Sequence, residues 1–368
     1  MTEKTLISFL ALQHAPTIGD ITAKKLIVAC GAAEAVFEEK KRTLLKIDGI
    51  GERTIAKLFD TVHFKAAERE LKFIKDNNIK CFSFEETEYP ERLKHCVDGP
   101  ILIFCKGNIA IHKERKIISI VGTRQNTSYG TTFCEQLLEE IAPLDPIIVS
   151  GYAYGIDIVA HRAAIKNGLQ TIGCLAHGLN QIYPKVHERY NNQMEANGGF
   201  ITDFWSTSNP DRENFLKRNR IIAGLSEATI VIESAEKGGS LVTADIAHSY
   251  NREVFAVPGR NTDKFSEGCN NLIKSQKAHM LTSAADLVYI LGWDIDEKKK
   301  NVIQKKLFSE LDTSEKKVYS FLEKKGKKLL DEIALECQLP IHKTSTLLLN
   351  MELKGAVRPL PGKLFEAI

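Results

Sequence analysis

From about residue 80 the chain carries short, strongly apolar runs separated by amphipathic stretches of helical length. The runs lie around Phe104 and over residues 117–121, 147–150, 171–176, 200–203, 228–233 and 253–257. A strand that is apolar on both sides needs cover on both faces, and strands alternating with helices build βαβ units around a parallel sheet. The central segment is therefore expected to be a doubly wound, mostly parallel α/β domain. Ligands of such sheets collect beyond the carboxyl ends of the strands, so the loops after the runs are where a site is expected.

The loop after 117–121 reads Val121-Gly122-Thr123-Arg124 and leads through Ser128-Tyr129-Gly130 into a helix. Glycine lets a backbone approach a ligand, a helix N-terminus favours anions, and Arg124 stands where a guanidinium grips a phosphate with two parallel hydrogen bonds. The full G-x-G-x-x-G fingerprint is missing, so no dinucleotide cofactor is expected, nor any other. The next loop, Ser150-Gly151 to Gly155-Ile156-Asp157, has two glycines, a hydroxyl and a carboxylate ahead of His161. Asp157 has an equally good structural account, as a carboxylate stabilising the first turn of a helix with His161 as its partner. A third loop, 176–184, offers His177 and Tyr183, either to bases or to the core.

The densest cluster is Phe215, Lys217, Arg218, Asn219 and Arg220, three cations within four positions beside an aromatic. Cations that follow phosphates, with rings that stack on bases, are what single-strand binders use. Phe215 also suits a core position on a solvated helix. Glu236-Lys237-Gly238-Gly239-Ser240 forms a second anion-suited glycine loop, and Arg260 follows a further strand.

With 368 residues, 43% of them apolar, the chain has enough material for two or three domains. A net charge of +3 is too small to identify a nucleic-acid partner, so local clustering has to carry that inference. Eight cysteines without a C-x-x-C pair read as reduced thiols, and no metal, P-loop or nucleophile-elbow pattern is present. No apolar run approaches the length of a membrane span, and a cytoplasmic location without membrane contact is expected.

Residues 1–75 contain two helix-hairpin-helix turns, Pro16-Thr17-Ile18-Gly19 and Ile47-Asp48-Gly49-Ile50-Gly51, in a helical (helix-hairpin-helix or SAM-like) domain. Residues 293–312 form a charged linker. Residues 313–368 have the pattern of three helices and a ribbon, a winged helix. Its recognition helix has only His342, Lys343 and Lys354 as cations, which is thin for duplex DNA and favours protein contact.

Taken in order, the segments 119–124, 150–161, 218–226, 239–244 and 257–259 resemble the DNA-processing protein A (DprA/Smf) family. The specific motifs span about 80–292, and both ends fit the family's layout. The resemblance implies a Rossmann-like domain that binds and protects incoming single-stranded DNA in natural transformation, competence and recombination. It implies a homodimer that loads the RecA recombinase. It also implies that Gly122, Arg124, Lys217, Arg218 and Arg220 grip DNA, that Phe215 contacts a base, and that Gly239 and Ser240 form the floor. Ser150, Gly151 and Asn219 complete the expected binding set, and no catalytic residue is expected. Three departures concern loop shape: Leu216 where proline is common, Asp203 where glutamate is usual, and 275–278 where Gly-Ala is typical.

The alternative is a nucleotide-derivative hydrolase of the lysine-decarboxylase-like type, with Glu233, Asp157 or Glu236 as acid or base. That family's P-G-G-x-G-T-x-x-E motif is absent, its nearest counterpart being 236–241.

Overall fold

The computed structural model describes residues 1–111, 115–293, 311–354, 356–360 and 364–367. The chain divides into two compact units, one up to residue 295 and one from residue 296.

Nine strands form the sheet of the first unit: β1 Lys80–Ser83, β2 Leu102–Gly107, β3 Ile117–Val121, β4 Ile147–Ser150, β5 Thr171–Cys174, β6 Gly198–Thr202, β7 Ala228–Val231, β8 Glu253–Ala256 and β9 His279–Met280. Their order is β1-β2-β6-β5-β4-β3-β7-β8-β9. The seven strands from β6 to β9 are parallel, and β1 and β2 add an antiparallel edge. The expected mostly parallel, doubly wound sheet is present. β9 was not foreseen, because two exposed residues carry no periodicity.

Alternation along β3 divides the core. Ile118 and Ile120 pack with Cys134, Leu138 and Ala160 from helices Ser128–Ile141 and Ile156–Lys166. Ile117 and Val121 face Ile221, Ala223 and Ala244 from helices Arg212–Leu225 and Gly239–Ser249. Both sheet faces are thus covered, which is why the strands read as continuous apolar runs.

The N-terminal helices, among them Glu3–His14, Asp20–Cys30 and Thr61–Asp76, do not fold around a core of their own. Phe9, Leu12, Leu26 and Val36 share one cluster with Leu102 and Phe104 of β2. Trp205 Nε1 donates to Gln13 Oε1 at 3.1 Å, and buried Glu70 accepts from the Ser206 amide at 2.8 Å. The helical and sheet segments therefore make one compact unit. Their two hairpin turns meet, with the Thr17 hydroxyl donating to the Thr54 carbonyl at 3.1 Å.

The second unit has helices Thr313–Lys325, Leu330–Glu336 and Ile341–Leu353 and strands β10 Lys328–Leu329, β11 Val357–Leu360 and β12 Leu364–Ala367 in the order β10-β12-β11. This is the winged-helix layout. Lys354, counted among the cations at the recognition helix, is ion-paired at 2.6 Å with buried Glu315. The expected charged linker lies almost entirely outside the described residues, as do residues 361–363 of the ribbon.

All eight cysteines are unpaired thiols. Burial pushes those of Cys81, Cys174 and Cys269 up to about 12, so they are protonated and inert at neutral pH. Among the described residues no helix is long and apolar enough to cross a membrane.

Candidate nucleic-acid interface

From β3 the chain steps outward through β4, β5 and β6, then returns to place β7 on the other side of β3. The carboxyl ends of β3 and β7 thus flank the point where strand order reverses, and a crevice opens there. The Thr123 amide donates to the Glu233 carbonyl at 2.7 Å, and the Ile156 amide to the Thr123 carbonyl at 3.1 Å. These bonds lace the ends of β3 and β7 to the start of helix Ile156–Lys166. Gly155 makes the closure possible: at φ 80° it lies against Thr123 and Arg124 backbone, where a Cβ would collide.

Arg124 is thereby exposed at the mouth of a cleft of about 730 Å³. Its guanidinium lies 5.2 Å from the ring centroid of Phe215, and the Tyr183 ring lies 5.6 Å from the same ring at 52°. Phe215 is in the first turn of helix Arg212–Leu225, which Asp211 caps by accepting from the Asn214 amide at 2.9 Å. On the opposite wall the eleven-residue helix Gly239–Ser249 begins without a side-chain cap, and Gly239 has open space around it. Free amides, the helix dipole and the neighbouring Lys237 make this wall attractive to an anion.

Gly122, Arg124, Phe215, Arg218, Asn219, Gly239 and Ser240 all line the cleft. Ser150 and Gly151 lie beneath it. The Ser150 hydroxyl donates to the Ile120 carbonyl at 2.6 Å, and the Gly151 carbonyl accepts from Arg218 Nη1 at 2.5 Å.

The cation cluster does not act as one group. Lys217 is exposed but outside the cleft lining. Arg218 is only 4% exposed, and its Nη1 also donates to the Cys174 carbonyl while Nε has no partner. Burial pushes the Asp157 carboxyl up and lowers the Arg218 guanidinium from its ordinary value, each opposing the shift of the other. Arg220 points away from the cleft. It bonds to Asp203, to the Asp98 carbonyl and, at 3.0 Å, to Asp20 at the start of helix Asp20–Cys30. The expected phosphate grip at Arg220 is thus replaced by a bolt between helices, because side chains two apart on a helix point to nearly opposite sides.

Arg212 lines the cleft without having been singled out, and Lys237, read only as part of its glycine loop, lines it too. The available signal was their position, Arg212 at the start of one helix and Lys237 in the loop just before another, both at the strand ends.

The carboxylates proposed for hydrolysis are not arranged for it. Glu233 is buried and accepts from the Thr127 amide at 2.9 Å and hydroxyl at 2.5 Å, holding the cap of helix Ser128–Ile141. Asp157 accepts from the Ala153 amide at 3.3 Å, and Glu236 lies outside the cleft lining. Among the described residues no three His, Cys, Asp or Glu side chains are grouped to hold a metal ion.

A reversing parallel sheet with an anion-suited, aromatic-flanked crevice, joined to a winged helix, defines a protein of the Rossmann-like α/β class. Within it the chain belongs to the DprA/Smf family. The model for DNA recombination-mediator protein A matches residues 80–292, and that for the DprA winged helix domain matches 309–363. The chain is 38% identical over 219 residues to the DNA processing protein DprA of Bacillus subtilis, covering 60% of this chain and 73% of that one. It is 32% identical over 308 residues to Protein Smf of Escherichia coli, covering 81% and 80%. The solved DprA of Streptococcus pneumoniae superposes with a TM-score of 0.67 at 29% identity, over 78% of this chain and 98% of that one. The Helicobacter pylori protein, solved to describe its single-stranded DNA binding mode, gives 0.53 at 26% identity, over 58% and 95%.

Proposed function

We propose that this chain is a recombination mediator that binds single-stranded DNA in the cleft between β3 and β7 without altering it chemically. The observation that carries this reading is the grouping of Arg124, Phe215 and Tyr183 at the mouth of a glycine-lined cleft with an open helix N-terminus on its far wall. Phosphates are held by Arg124, Lys237 and the amides around Gly239, with Arg218 as a buried floor. Bases stack toward Phe215 and Tyr183, which requires unpaired bases and favours single strands over duplex.

The match to the recombination-mediator family and the single-strand binding of the Helicobacter pylori protein support the reading. It extends to transfer of the strand to the RecA recombinase by a homodimer in the cytoplasm. It takes residues 1–75 and 80–292 as segments of one compact unit and has the winged helix of residues 313–368 contact protein.

The test is fluorescence anisotropy of labelled oligothymidylate across a salt series, with duplex of equal length as control. Salt-sensitive binding to the single strand and weak binding to duplex is the expected result. Wild-type protein that binds neither, or binds duplex as well, overturns the reading.

A further inference from the structure

Beyond the cleft, two guanidinium groups lie over the Tyr190 ring, that of Arg189 at 4.7 Å and that of Arg162 at 5.9 Å from the ring centroid. Both arginines are exposed, and among the described residues neither is paired with a carboxylate; Glu188, exposed on the same turn, engages neither. Two positive charges converge on one ring, and among the described residues neither is held in an ion pair.

The surface is rigid. The Tyr152 hydroxyl donates to the His187 carbonyl at 2.8 Å, and His187 Nδ1 bonds to the Tyr152 carbonyl at 3.0 Å, which anchors the 3-10 segment Lys185–Tyr190. The buried His187 ring lies 6.2 Å from Tyr190 and meets Tyr154 edge-on at 5.2 Å. Tyr154 is 46% exposed and immediately precedes Gly155, which packs against the Arg124 backbone. Tyr154 beside Gly155 and the buried His187 ring beneath it thus connect the edge of the cleft to Tyr190.

We infer that Tyr154, Arg162, Arg189 and Tyr190 form a second binding segment, which takes the continuation of a single nucleic-acid strand as it leaves the cleft. The inference rests on the cleft reading above. Two arginines follow successive phosphates, the exposed Tyr154 ring offers a face for an unpaired base and the half-buried Tyr190 ring holds the guanidiniums, a combination that tolerates any sequence.

The test uses the full chain and two oligothymidylates, one of about 6 nucleotides, near the lower end of the ~4–16 nucleotides typical of a single-strand site, and one of about 20, beyond its upper end. An Arg162→Ala/Arg189→Ala double variant should bind the short oligonucleotide within about twofold of wild type and the long one about tenfold more weakly. Its log-affinity slope against log salt on the long strand should flatten by about 1.4, at ~0.7 per phosphate neutralised on single strands. Tyr190→Phe, which keeps the ring, should bind both lengths as wild type does, and thermal melts verify folding, with Arg162→Gln/Arg189→Gln replacing a variant that melts early. Equal loss on both lengths, or no loss on the long one, overturns the second segment and leaves the cleft standing. Failure of wild type to bind either length overturns both.

Discussion

Arg218 and Arg220, two residues apart on one helix, are anchored on opposite sides of it: Arg218 to the carbonyls of Gly151 and Cys174 under the cleft, Arg220 to Asp203 and Asp20 behind it. The helix that presents Phe215 is thereby held from both flanks, to the sheet and to the N-terminal helices. Substitutions along it separate binding from stability.

Arg124 is exposed and contacts the Phe215 face, so removing it leaves the core intact. Arg124→Ala should weaken binding of oligothymidylate about tenfold and flatten the salt slope by about 0.7, with an unchanged melting temperature. Anisotropy titrations at several salt concentrations, beside a thermal melt, measure all three.

Arg220→Ala should have the reverse profile. Its guanidinium is largely buried with Asp203 and Asp20, and breaking such a pair costs about 3–5 kcal/mol because carboxylates are left without a partner. Urea unfolding should record that loss, while the fraction that remains folded binds oligothymidylate within about twofold of wild type. A binding loss as large as that of Arg124→Ala would assign Arg220 to the DNA after all.

His161 is completely buried, its Nδ1 lies 2.7 Å from the Thr171 hydroxyl, and burial lowers its pKa to about 3. The unfolded chain takes up a proton near pH 6.5 that the folded chain does not, so stability from this residue is complete above pH 6.5 and declines as pH falls toward 3. The slope approaches about 1.4 kcal/mol per pH unit. Burial lowers His14, His177 and His187 in the same direction, whereas the raised carboxyls of Asp157 and Asp203 act oppositely at lower pH. Urea unfolding at pH 7, 6 and 5 should show a shallower decline for His161→Asn than for wild type; equal slopes would mean that His161 is protonated in the folded protein.

Gln276 adopts φ 57° after helix Glu267–Lys274, with its amide bonded to the Ile273 carbonyl and the Lys277 amide to that of Leu272. This is a Schellman ending, which glycine suits best. Gln276→Gly should stabilise the chain by about 0.5–1 kcal/mol, since relief of left-handed strain exceeds the added backbone entropy of glycine. A urea midpoint unchanged or lowered would contradict this. Here the turn forms with glutamine at the left-handed position.

The central strands were legible because a strand covered on both faces has to be apolar throughout, and 117–121 and 147–150 match β3 and β4 residue for residue. The edge strand β9 was not, since its exposed residues need no pattern. The glycine loops were legible for a similar reason: Gly122 and Gly239 follow apolar runs, and such loops face a ligand wherever the sheet is parallel.

The division of labour within residues 217–220 was hidden. Composition shows three cations, but which one meets a ligand depends on the phase of the helix and the surfaces it docks against. The same holds for Arg212 and Lys237, brought to one cleft from segments 25 residues apart. It holds also for the N-terminal helices, whose core is completed by Leu102 and Phe104. Local apolar periodicity and glycine placement, properties of neighbouring residues, determined the elements, their α/β arrangement and the loops that carry the site. The folding of distant segments onto one another decided which cation faces the cleft and which is bonded inside, because burial and partners are properties of the packed molecule.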